Sequence, residues 1–262
     1  MFLNFKNKNV FISGGTHGIG LECSLRFASL GANIITFSRD KIKINKLKKK
    51  LKNFKNISFL VEQGDILDEK FPQIFSKMAL MKFKSIDIMI HNVGGGGRWG
   101  SSDILKTDTK IWHEVFDKNN LGLIEFSKYF LPTMVKKKWG RVITISSICG
   151  SEVTKNERPW FSGSKSFQNA VIKTFSKKEE FVRKNITFNS ILPGPILIPK
   201  TGWEKLKNEN QKKYKQHINQ IPLGRIGKPE DVVNSCIFLS SKYAAYINGI
   251  NLIIDGGITN RI

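Results

Sequence analysis

The amino-acid sequence predicts an α/β fold, in which a doubly wound parallel β-sheet is covered by helices on both faces. Two observations lead to this prediction. Segments with the periodicity of strands alternate with segments of helical periodicity from one end of the 262-residue chain to the other. Most of the strand segments are continuous apolar runs, which is typical of parallel strands buried on both faces. No linker divides the chain, so we predict one domain over residues 1–262.

The predicted strands and helices follow one another in a regular order. Strands are expected at about residues 10–13, 33–37, 57–61, 86–90, 141–145, 186–191 and 250–254. Helices are expected between them, one before Gly31 and others at about residues 41–55, 71–78, 109–136, 159–183 and from Pro229 onward. The segment at about 195–228 has few apolar residues, and we expect it to form a mobile lobe beside the substrate.

The composition excludes several classes of protein. A hydrophobic fraction of 40% is ample for a full core, and no run approaches the roughly 18 apolar residues of a membrane span. Polar residues interrupt the N-terminal segment, so no signal peptide is expected. The three cysteines are scattered, which predicts neither a disulfide framework nor a metal site. We therefore expect a cytoplasmic protein with no metal and no membrane contact.

The formal net charge of +22 requires an explanation. Lysine is dense at residues 41–55, 136–138 and 205–215. Such a surface can attract phosphorylated ligands or nucleic acid, or it can be solvated surface in a lysine-rich chain. The basic runs lack the interleaved aromatic residues of a base-stacking platform, so nucleic-acid binding is disfavoured.

The stretch from Val10 to Gly20 carries the strongest functional signal. A short strand runs into the sequence Ser-Gly-Gly-Thr-His-Gly-Ile-Gly, which begins at Ser13 and leads into a helix. Glycines let a ligand approach the backbone closely, and the first amides of a helix bind anions. Structural turns use glycine as well, so the turn alone leaves both interpretations open.

Other glycine-rich or polar clusters also follow predicted strands. They lie at residues 38–40, 65, 91–97, 146–150 and 193–198. Ligands of doubly wound sheets bind beyond the carboxyl ends of the strands. We therefore expect all of these clusters to meet at one site.

These motifs together resemble the short-chain dehydrogenase/reductase family over essentially the whole chain. Residues 13–20 match the family's Thr-Gly-x-x-x-Gly-x-Gly motif, with serine for threonine, and residues 91–94 stand where the family has Asn-Asn-Ala-Gly. Pro193-Gly194 and Asp255-Gly256-Gly257 also occur in family order. The resemblance implies a Rossmann-like fold, a nicotinamide dinucleotide cofactor and a small-molecule substrate. It also implies a homotetramer or dimer built through helices 109–136 and 159–183 and the last strand.

The resemblance assigns a set of residues to the dinucleotide. These are Gly14, Thr16, His17, Gly18, Ile19, Gly20, Ser38, Arg39, Asp65, Ile66, Asn92, Val93, Gly94, Lys165, Pro193, Gly194 and Ile196. Within this set, Asp65 and Ile66 are expected beside the adenine, and Asn92 and Gly94 beside the ribose.

The end of the second strand favours NADP(H) over NAD(H). An acidic residue at this point would accept hydrogen bonds from the ribose and repel a 2′-phosphate. The sequence has Ser38 there with Arg39 beside it, and an arginine fork suits a phosphate dianion. His17 can add a second donor, whereas Asp40 lies beyond the expected contact. Arg39 can also be an ordinary exposed loop cation.

The catalytic pattern of the family is present with one exception. The resemblance assigns Asn119, Ser147 and Lys165 to the family's asparagine, serine and lysine. In the family, a tyrosine four residues before the lysine exchanges a proton with the substrate oxygen, the lysine lowers the tyrosine pKa, and the asparagine anchors a water leading to the lysine. In this chain Phe161 stands at the tyrosine position, and phenylalanine has no exchangeable proton. His91 and His113 are expected to be packed or hydrogen-bonded rather than catalytic.

Three explanations of Phe161 remain open. The protein can be a working oxidoreductase whose proton comes from Ser147, Lys165, a water or a nearby group, for which the sequence offers Glu152, Glu157 and Arg158. Alternatively, the natural residue is tyrosine and this sequence carries an inactivating substitution. In the third explanation the protein binds the cofactor without redox turnover. The joint presence of Asn119, Ser147 and Lys165 favours chemistry.

The expected substrate segments are residues 94–103, 150–160 and 195–220. Their cations and aromatic residues suit a polar, anionic substrate, such as a sugar, a nucleotide-sugar or an acyl thioester. The polar and aromatic residues of these segments include Arg98, Trp99, Glu152, Lys155, Arg158, Trp160, Lys200, Trp203 and Lys205. The tryptophans can instead simply pack the lobe. No motif separates a sugar from an acyl thioester.

Overall fold

The computed structural model describes residues 3–101, 103–153 and 158–260. Its centre is a seven-stranded sheet in which every neighbouring pair of strands is parallel. The strands are β1 (Asn9–Ile12), β2 (Asn33–Ser38), β3 (Phe59–Gln63), β4 (Ile88–His91), β5 (Gly140–Ile145), β6 (Ile186–Pro193) and β7 (Asn251–Ile254). The strand order is β3-β2-β1-β4-β5-β6-β7. This arrangement confirms the predicted fold class.

Helices connect the strands. They are α1 (Gly18–Ser29), α2 (Lys41–Leu51), α3 (Phe71–Phe83), α4 (Thr109–Lys137), α5 (Pro159–Phe175), α6 (Glu179–Val182), α7 (Gly202–Glu209), α8 (Gln211–Asn219) and α9 (Pro229–Ser240). Short 3₁₀ turns occur at Ile104–Lys106, Ile148–Gly150 and Lys242–Ala244. None of the described helices is both long enough and apolar enough to cross a bilayer.

Two of the predicted helices end earlier than the sequence indicates. The helix expected at 159–183 ends at Phe175, because the Ser176 carbonyl accepts a hydrogen bond from the Asn248 side chain at 2.9 Å instead of continuing the helix. The helix expected at 41–55 ends at Leu51, shortly before Asn56 adopts a positive φ of 60°. The segment at 195–228 contains α7 and α8, whose charged, periodic sequences form helices without a fully buried residue.

The sheet separates two hydrophobic clusters, one on each face. One lies against α1, α2 and α9, and the other lies against α3, α4 and α5. The second cluster is built around phenylalanine rings, and the Phe11 ring centroid lies 4.5 Å from that of Phe126 and 4.9 Å from that of Phe130. Burial of a phenylalanine side chain stabilises a fold by about 1.5–3 kcal/mol. The two clusters therefore fix the helices against the two faces of the sheet.

The strand order reverses between β1 and β4. The chain passes outward from β1 to β2 and β3, and then returns to place β4 on the other side of β1. Helices that leave neighbouring strands in opposite directions open a crevice at the carboxyl ends of those strands. The glycine turn after β1 and the glycine run after β4 therefore lie side by side at this crevice.

Candidate active site

The glycine turn is shaped by positions where only glycine fits. Gly14 and Gly18 have positive φ values of 69° and 52°, a region that other residues rarely adopt. A Cβ atom on Gly20 would lie 2.4 Å from the Gly14 carbonyl oxygen. On Gly15 it would lie 2.5 Å from the hydroxyl oxygens of Ser24 and Thr36. The turn is therefore packed directly onto the first turn of α1 and onto β2.

The helix that follows the turn presents its first amides without a side-chain cap. His17 precedes α1 in an extended conformation and makes no side-chain cap hydrogen bond, and the first turn contains no acidic residue. Within the described part of the chain, the amides of Gly18, Ile19 and Gly20 have no hydrogen-bond acceptor. Free amides at a positive helix end fit a diphosphate group, such as that of a dinucleotide.

The Ser13 hydroxyl joins the glycine turn to the end of β4. Its oxygen accepts hydrogen bonds from the backbone amides of Asn92 at 2.8 Å and Val93 at 2.9 Å. In return, the Asn92 side-chain amide donates to the carbonyl oxygens of Ser13 at 3.0 Å and Gly14 at 3.4 Å. The serine that replaces the family's threonine therefore has a definite structural role, and it brings Asn92 and Val93 to the turn.

Ser38, Arg39 and Asp65, which the sequence analysis assigns to the dinucleotide, lie at the carboxyl ends of β2 and β3. Arg39 follows β2, and its Nη1 atom lies 3.4 Å from Oδ2 of Asp65, which follows β3. The Arg39 side chain is 67% exposed, so its fork remains accessible to a ligand. Asp40 caps α2 through hydrogen bonds from the amides of Ile42 and Lys43, which keeps its carboxylate occupied. Ser38 accepts a hydrogen bond from the Asp40 amide at 3.3 Å.

Ile66 has a packing role at the same end of the sheet. It is 5% exposed, and a Cβ atom on Gly122 of α4 would lie 2.8 Å from its Cδ1 atom. Thr16, in the glycine turn, is also buried. Both side chains are buried, and their contact with a dinucleotide stays a prediction.

The lobe at 195–228 touches the glycine turn. A Cβ atom on Gly18 would lie 3.0 Å from Cγ2 of Ile198. The pKa of His17 is lowered, mainly by burial and then by the charge of Lys43, while a hydrogen bond to the backbone of Pro199 opposes this shift. His17 thus links the turn to the lobe.

The residues after β6 anchor the base of the lobe. Pro193 ends the strand, and the Gly194 amide donates to the Ile254 carbonyl at 2.9 Å. A Cβ atom on Gly194 would lie 2.8 Å from Cβ of Asp255, so glycine is required there. Ile196 is buried and pairs with Gly227 in an isolated parallel bridge.

The predicted catalytic asparagine and lysine lie against the glycine run after β4. The Asn119 side chain accepts from the Gly95 amide at 3.1 Å and donates to the carbonyls of Gly95 at 2.8 Å and Val115 at 2.7 Å. A Cβ atom on Gly94 would lie 2.5 Å from Asn119 Oδ1 and 3.0 Å from Lys165 Nζ. Gly94 therefore lets Asn119 and Lys165 come together.

Lys165 is a buried cation with an unusual pKa. Its Nζ atom donates to the Ile145 carbonyl and to Oε1 of Gln168, both at 3.0 Å. Burial lowers the pKa of Lys165 from 10.5 to about 7, while the neighbouring Cys149 thiol acts in the opposite direction. The lysine therefore gains or loses a proton near neutral pH, which an exposed lysine does not do.

Ser147 and Phe161 lie on the two elements that flank Lys165. Ser147 follows β5 and caps the 3₁₀ turn at Ile148–Gly150 by accepting from the Cys149 amide at 3.2 Å. This turn packs onto α5, because a Cβ atom on Gly150 would lie 2.8 Å from the Lys165 backbone. Phe161 is half-buried one helical turn before Lys165, and its ring lies beside Gly97.

The structure adds three residues that the sequence reading missed. Gln168 contacts Lys165 directly, and its position three residues later on α5 was the available signal. Cys149, two residues after Ser147, is an electrostatic neighbour of Lys165. Lys118 is half-buried with Nζ 4.2 Å from the Trp99 ring centroid, and its pKa is lowered mainly by burial and then by Arg39.

The expected substrate residues divide into two groups. Arg98 stacks on Trp203 of α7, with 5.2 Å between the guanidinium carbon and the ring centroid, so loop 94–100 meets the lobe. Trp160 is buried against Trp112, which is a packing role. Glu152 accepts a hydrogen bond from the Asn260 amide, and Lys205 forms an ion pair with Glu209. Arg158 directly precedes α5, and Lys200 lies two residues before α7. Lys155 and Glu157 lie outside the described residues.

His91 lies at the end of β4, next to the site. His91 is fully buried and hydrogen-bonded to Ser13 and to the Asn119 carbonyl, as expected for a non-catalytic histidine. Burial lowers its pKa to about 4, so it is neutral at neutral pH. Among the residues that the structure describes, no group of histidine, cysteine and carboxylate side chains is arranged to hold a metal ion.

The chain is similar to known proteins over nearly its whole length. A family model described as enoyl-(acyl carrier protein) reductase matches residues 14–259. The chain is 33% identical to the 3-oxoacyl-[acyl-carrier-protein] reductase FabG of Buchnera aphidicola subsp. Schizaphis graminum, over 98% of this chain and 99% of that protein. It is 28% identical to the protein of the same name from Thermotoga maritima, with the same shares covered.

Solved structures give the same result for the fold. L-sorbose reductase from Gluconobacter frateurii, in complex with NADPH and L-sorbose, superimposes with a TM-score of 0.89 and 25% identity over the full length of both chains. YwfH, an NADPH-dependent reductase of bacilysin biosynthesis, has a TM-score of 0.88 at 24% identity, over 97% of this chain and 99% of that chain. The chain therefore belongs to the short-chain dehydrogenase/reductase family of oxidoreductases.

Proposed function

We propose that this protein is an NADPH-dependent reductase that converts a 3-oxoacyl thioester, carried on an acyl carrier, to the 3-hydroxyacyl thioester. The observation that carries the proposal is the meeting of Asn119 and Lys165 at Gly94, beside a glycine turn with free amides. The substrate class is supported by the 33% identity to a 3-oxoacyl-[acyl-carrier-protein] reductase over nearly the whole of both chains. An excess of 43 basic over 21 acidic residues suits an anionic substrate or carrier.

In this proposal each part of the crevice has one task. The amides of Gly18, Ile19 and Gly20 hold the diphosphate, Asp65 and Ile66 flank the adenine, and the Pro193-to-Ile196 segment borders the nicotinamide. Lys165 holds the nicotinamide ribose, and Ser147 polarises the substrate carbonyl. The dinucleotide, when bound, supplies the hydride that reduces the carbonyl carbon.

The proton for the alcohol oxygen has to come from a group other than residue 161. Lys165 is suited to supply it, because burial brings its pKa to about 7 and an acid works best when its pKa is near the working pH. One Nζ–H bond would break as the new O–H bond forms, leaving a neutral amine that takes up a proton from solvent. Loss of a dedicated general acid typically costs about 10²–10⁴ in rate, so we expect slow turnover.

The preference for NADPH rests on Arg39. Its exposed guanidinium follows β2, where a 2′-phosphate would lie, and Lys118 and Lys43 add positive charge nearby. The L-sorbose reductase structure, which aligns over its full length, also contains NADPH. Asp65 competes for Arg39 through their 3.4 Å contact, and a phosphate dianion would displace this partly exposed carboxylate from the guanidinium.

We further propose that the protein is a homo-oligomer, either a tetramer or a dimer. Trp112 and Phe116 of α4 are each more than one-third exposed, and Phe116 packs edge-on against Phe167 of α5. Aromatic residues exposed on adjoining helices are typical of a contact surface. A cytoplasmic location and the absence of nucleic-acid binding remain predictions.

An assay of NADPH oxidation in the presence of a carbonyl substrate tests the proposed function directly. NADPH consumption is measured with a 3-oxobutanoyl thioester and with a sugar ketone, in parallel with dinucleotide binding by calorimetry. Slow turnover of the thioester but not of the ketone would support the proposal. Preference for the sugar would reject the substrate class, and absence of dinucleotide binding would reject the function altogether.

Phe161 specifically favours a second candidate, in which the protein binds the dinucleotide without turnover. This candidate predicts tight NADPH binding with no consumption on any carbonyl substrate. A third possibility, an inactivating substitution of a natural tyrosine, is decided by reading codon 161 in the source gene.

A further inference from the structure

The Gln168 side chain lies between two parts of the proposed site. Its Oε1 atom accepts a hydrogen bond from Lys165 Nζ at 3.0 Å, and its Nε2 atom donates to the Asn119 carbonyl oxygen at 2.5 Å. Gln168 is completely buried. Its orientation follows from the partners, because an ammonium group can only donate and a carbonyl can only accept.

The Asn119 carbonyl has a second partner on the opposite side. His91 Nε2 lies 2.7 Å from the same oxygen and has to carry a proton to bond to it. The Nδ1 atom of neutral His91 is then an acceptor, and it lies 3.3 Å from the Ser13 hydroxyl, which donates to it. His91 and Gln168 therefore both donate to the Asn119 carbonyl oxygen.

These contacts form one continuous buried chain of hydrogen bonds. It begins at Ser13 in the glycine turn, passes through His91 on β4, the Asn119 carbonyl on α4 and Gln168 on α5, and ends at Lys165. The family resemblance implies a water between the asparagine and the lysine. In this chain the Gln168 amide makes that connection itself.

We propose that Gln168 is a positioning residue for Lys165, which holds the ammonium group at a fixed place relative to Asn119 by a direct side-chain bridge. An amide neither gives up nor takes up a proton near neutral pH, so it orients Lys165 without exchanging protons with it. Lys165 then exchanges protons only on the side that faces the crevice. The role of Lys165 in reduction rests on the proposed function, but the bridge itself does not.

The charged and titratable neighbours of Lys165 are few in the described part of the chain. Cys149, on the 3₁₀ turn after β5, raises the pKa of Lys165, and the charge of Lys165 helps to lower the pKa of His91 on β4. The neutral oxygens of Gln168 and Ile145 accept hydrogen bonds from the Lys165 ammonium group, and an accepted hydrogen bond stabilises its charged form. A change at position 168 is then expected to move the protonation equilibrium of Lys165 directly.

The test measures the titration of Lys165 by NMR in full-length protein whose lysines carry ¹³C at Cε. The resonance of Lys165 is identified by its absence in Lys165→Met. In Gln168→Glu a carboxylate replaces the amide oxygen, and the titration midpoint should rise by about one pH unit or more. In Gln168→Leu the acceptor is lost, and the midpoint should fall. Gln73→Glu on α3, an exposed position, should leave the midpoint unchanged.

Unchanged midpoints in both Gln168 variants would overturn the proposal. If Gln168→Leu fails to fold, as judged by circular dichroism, the Gln168→Glu measurement still decides, because its new charge is paired with Lys165. No substrate or redox chemistry enters this experiment. Failure of the bridge is therefore distinguishable from failure of the proposed reductase function, which the NADPH oxidation assay reports separately.

Discussion

The ring centroid of Phe161 lies 5.9 Å from the Nζ atom of Lys165, one turn earlier on the same helix. At this distance the ring and the ammonium group attract each other only modestly. The ring lies beside Gly97, and it offers no proton. Position 161 therefore holds an aromatic side chain near Lys165, but it lacks the hydroxyl group that a tyrosine would have.

Restoring that hydroxyl should increase turnover. In Phe161→Tyr, the phenol would stand near Lys165, whose positive charge lowers the pKa of a neighbouring phenol from about 10. We expect the turnover of a 3-oxoacyl thioester to rise by about 10²–10⁴. The measurement is the rate of NADPH consumption under saturating cofactor.

Phe167→Tyr is the matched control, since Phe167 lies on the same helix and packs on Phe116 away from Lys165. It should not increase turnover. Equal rates for Phe161→Tyr and the parent chain would show that the proton already comes efficiently from another group.

Arg39→Ala should separate the two dinucleotides. Loss of an exposed guanidinium that faces a phosphate dianion should weaken NADPH binding, whereas NADH lacks the 2′-phosphate and should bind as before. Calorimetric titration with each cofactor measures the effect. Lys46→Ala on the exposed face of α2 removes the same charge and should change neither affinity. Equal losses for NADPH and NADH in Arg39→Ala would refute the assignment.

Lys165→Met should change how stability depends on pH. Below about pH 7 the lysine is charged in both the folded and the unfolded chain, so the cost of burying its charge is fully present. Between about pH 7 and 10.5 the unfolded chain still binds a proton that the folded protein has released, so the free energy of unfolding rises with pH. The slope from this one group is at most about 1.4 kcal/mol per pH unit.

Methionine removes this contribution. The stability of Lys165→Met relative to the parent should therefore be highest at and below neutral pH and should decrease as the pH rises toward 10. Urea unfolding across this range provides the values, and Lys177→Met, at an exposed lysine, serves as the control. A difference that does not vary with pH would contradict the shifted pKa.

Gly20→Ala should weaken dinucleotide binding, whereas Gly163→Ala should stabilise the protein. In Gly20→Ala the new Cβ would lie 2.4 Å from the Gly14 carbonyl oxygen and 2.6 Å from Asn92 Nδ2, so the turn must shift and dinucleotide affinity should fall at least tenfold. In Gly163→Ala the new Cβ, at an exposed position of α5, meets nothing within 4 Å, so the free energy of unfolding should rise by about 0.5–1 kcal/mol. Thermal unfolding and cofactor titration measure both. Normal cofactor binding by Gly20→Ala would rule out the turn as the binding element.

The sequence was sufficient for those features that depend on periodicity and strand ends. Continuous apolar runs predicted the parallel sheet, and the crevice at the carboxyl ends of β1 and β4 followed from it. The i, i+4 spacing placed Phe161 and Lys165 on one face of α5. The sequence did not predict contacts between segments that are far apart along the chain. The pairing of Arg39 with Asp65 depends on the relative positions of two loops.

Tertiary contacts also decided where the sequence reading failed. The capture of the Ser176 carbonyl by Asn248 ends α5, and these residues are far apart in sequence. The partners of Gln168 on α4 and α5 depend on how these two helices pack, and the sequence does not show this. Trp160 was offered as a substrate contact, but it is buried against Trp112. A side chain's chemistry can be read from its type, whereas its partners come from the packed fold.

The hydrogen bonds between Ser13 and Asn92 determine when the glycine turn becomes fixed against the end of β4. The two residues belong to opposite halves of the sheet, and their hydrogen bonds form only after β4 has docked onto β1. A nascent chain that has completed β1 to β3 therefore has the glycine sequence but no rigid receptor for a dinucleotide. If the protein binds a dinucleotide as proposed, binding therefore requires both halves of the sheet to be in contact, and a bound dinucleotide would stabilise that contact.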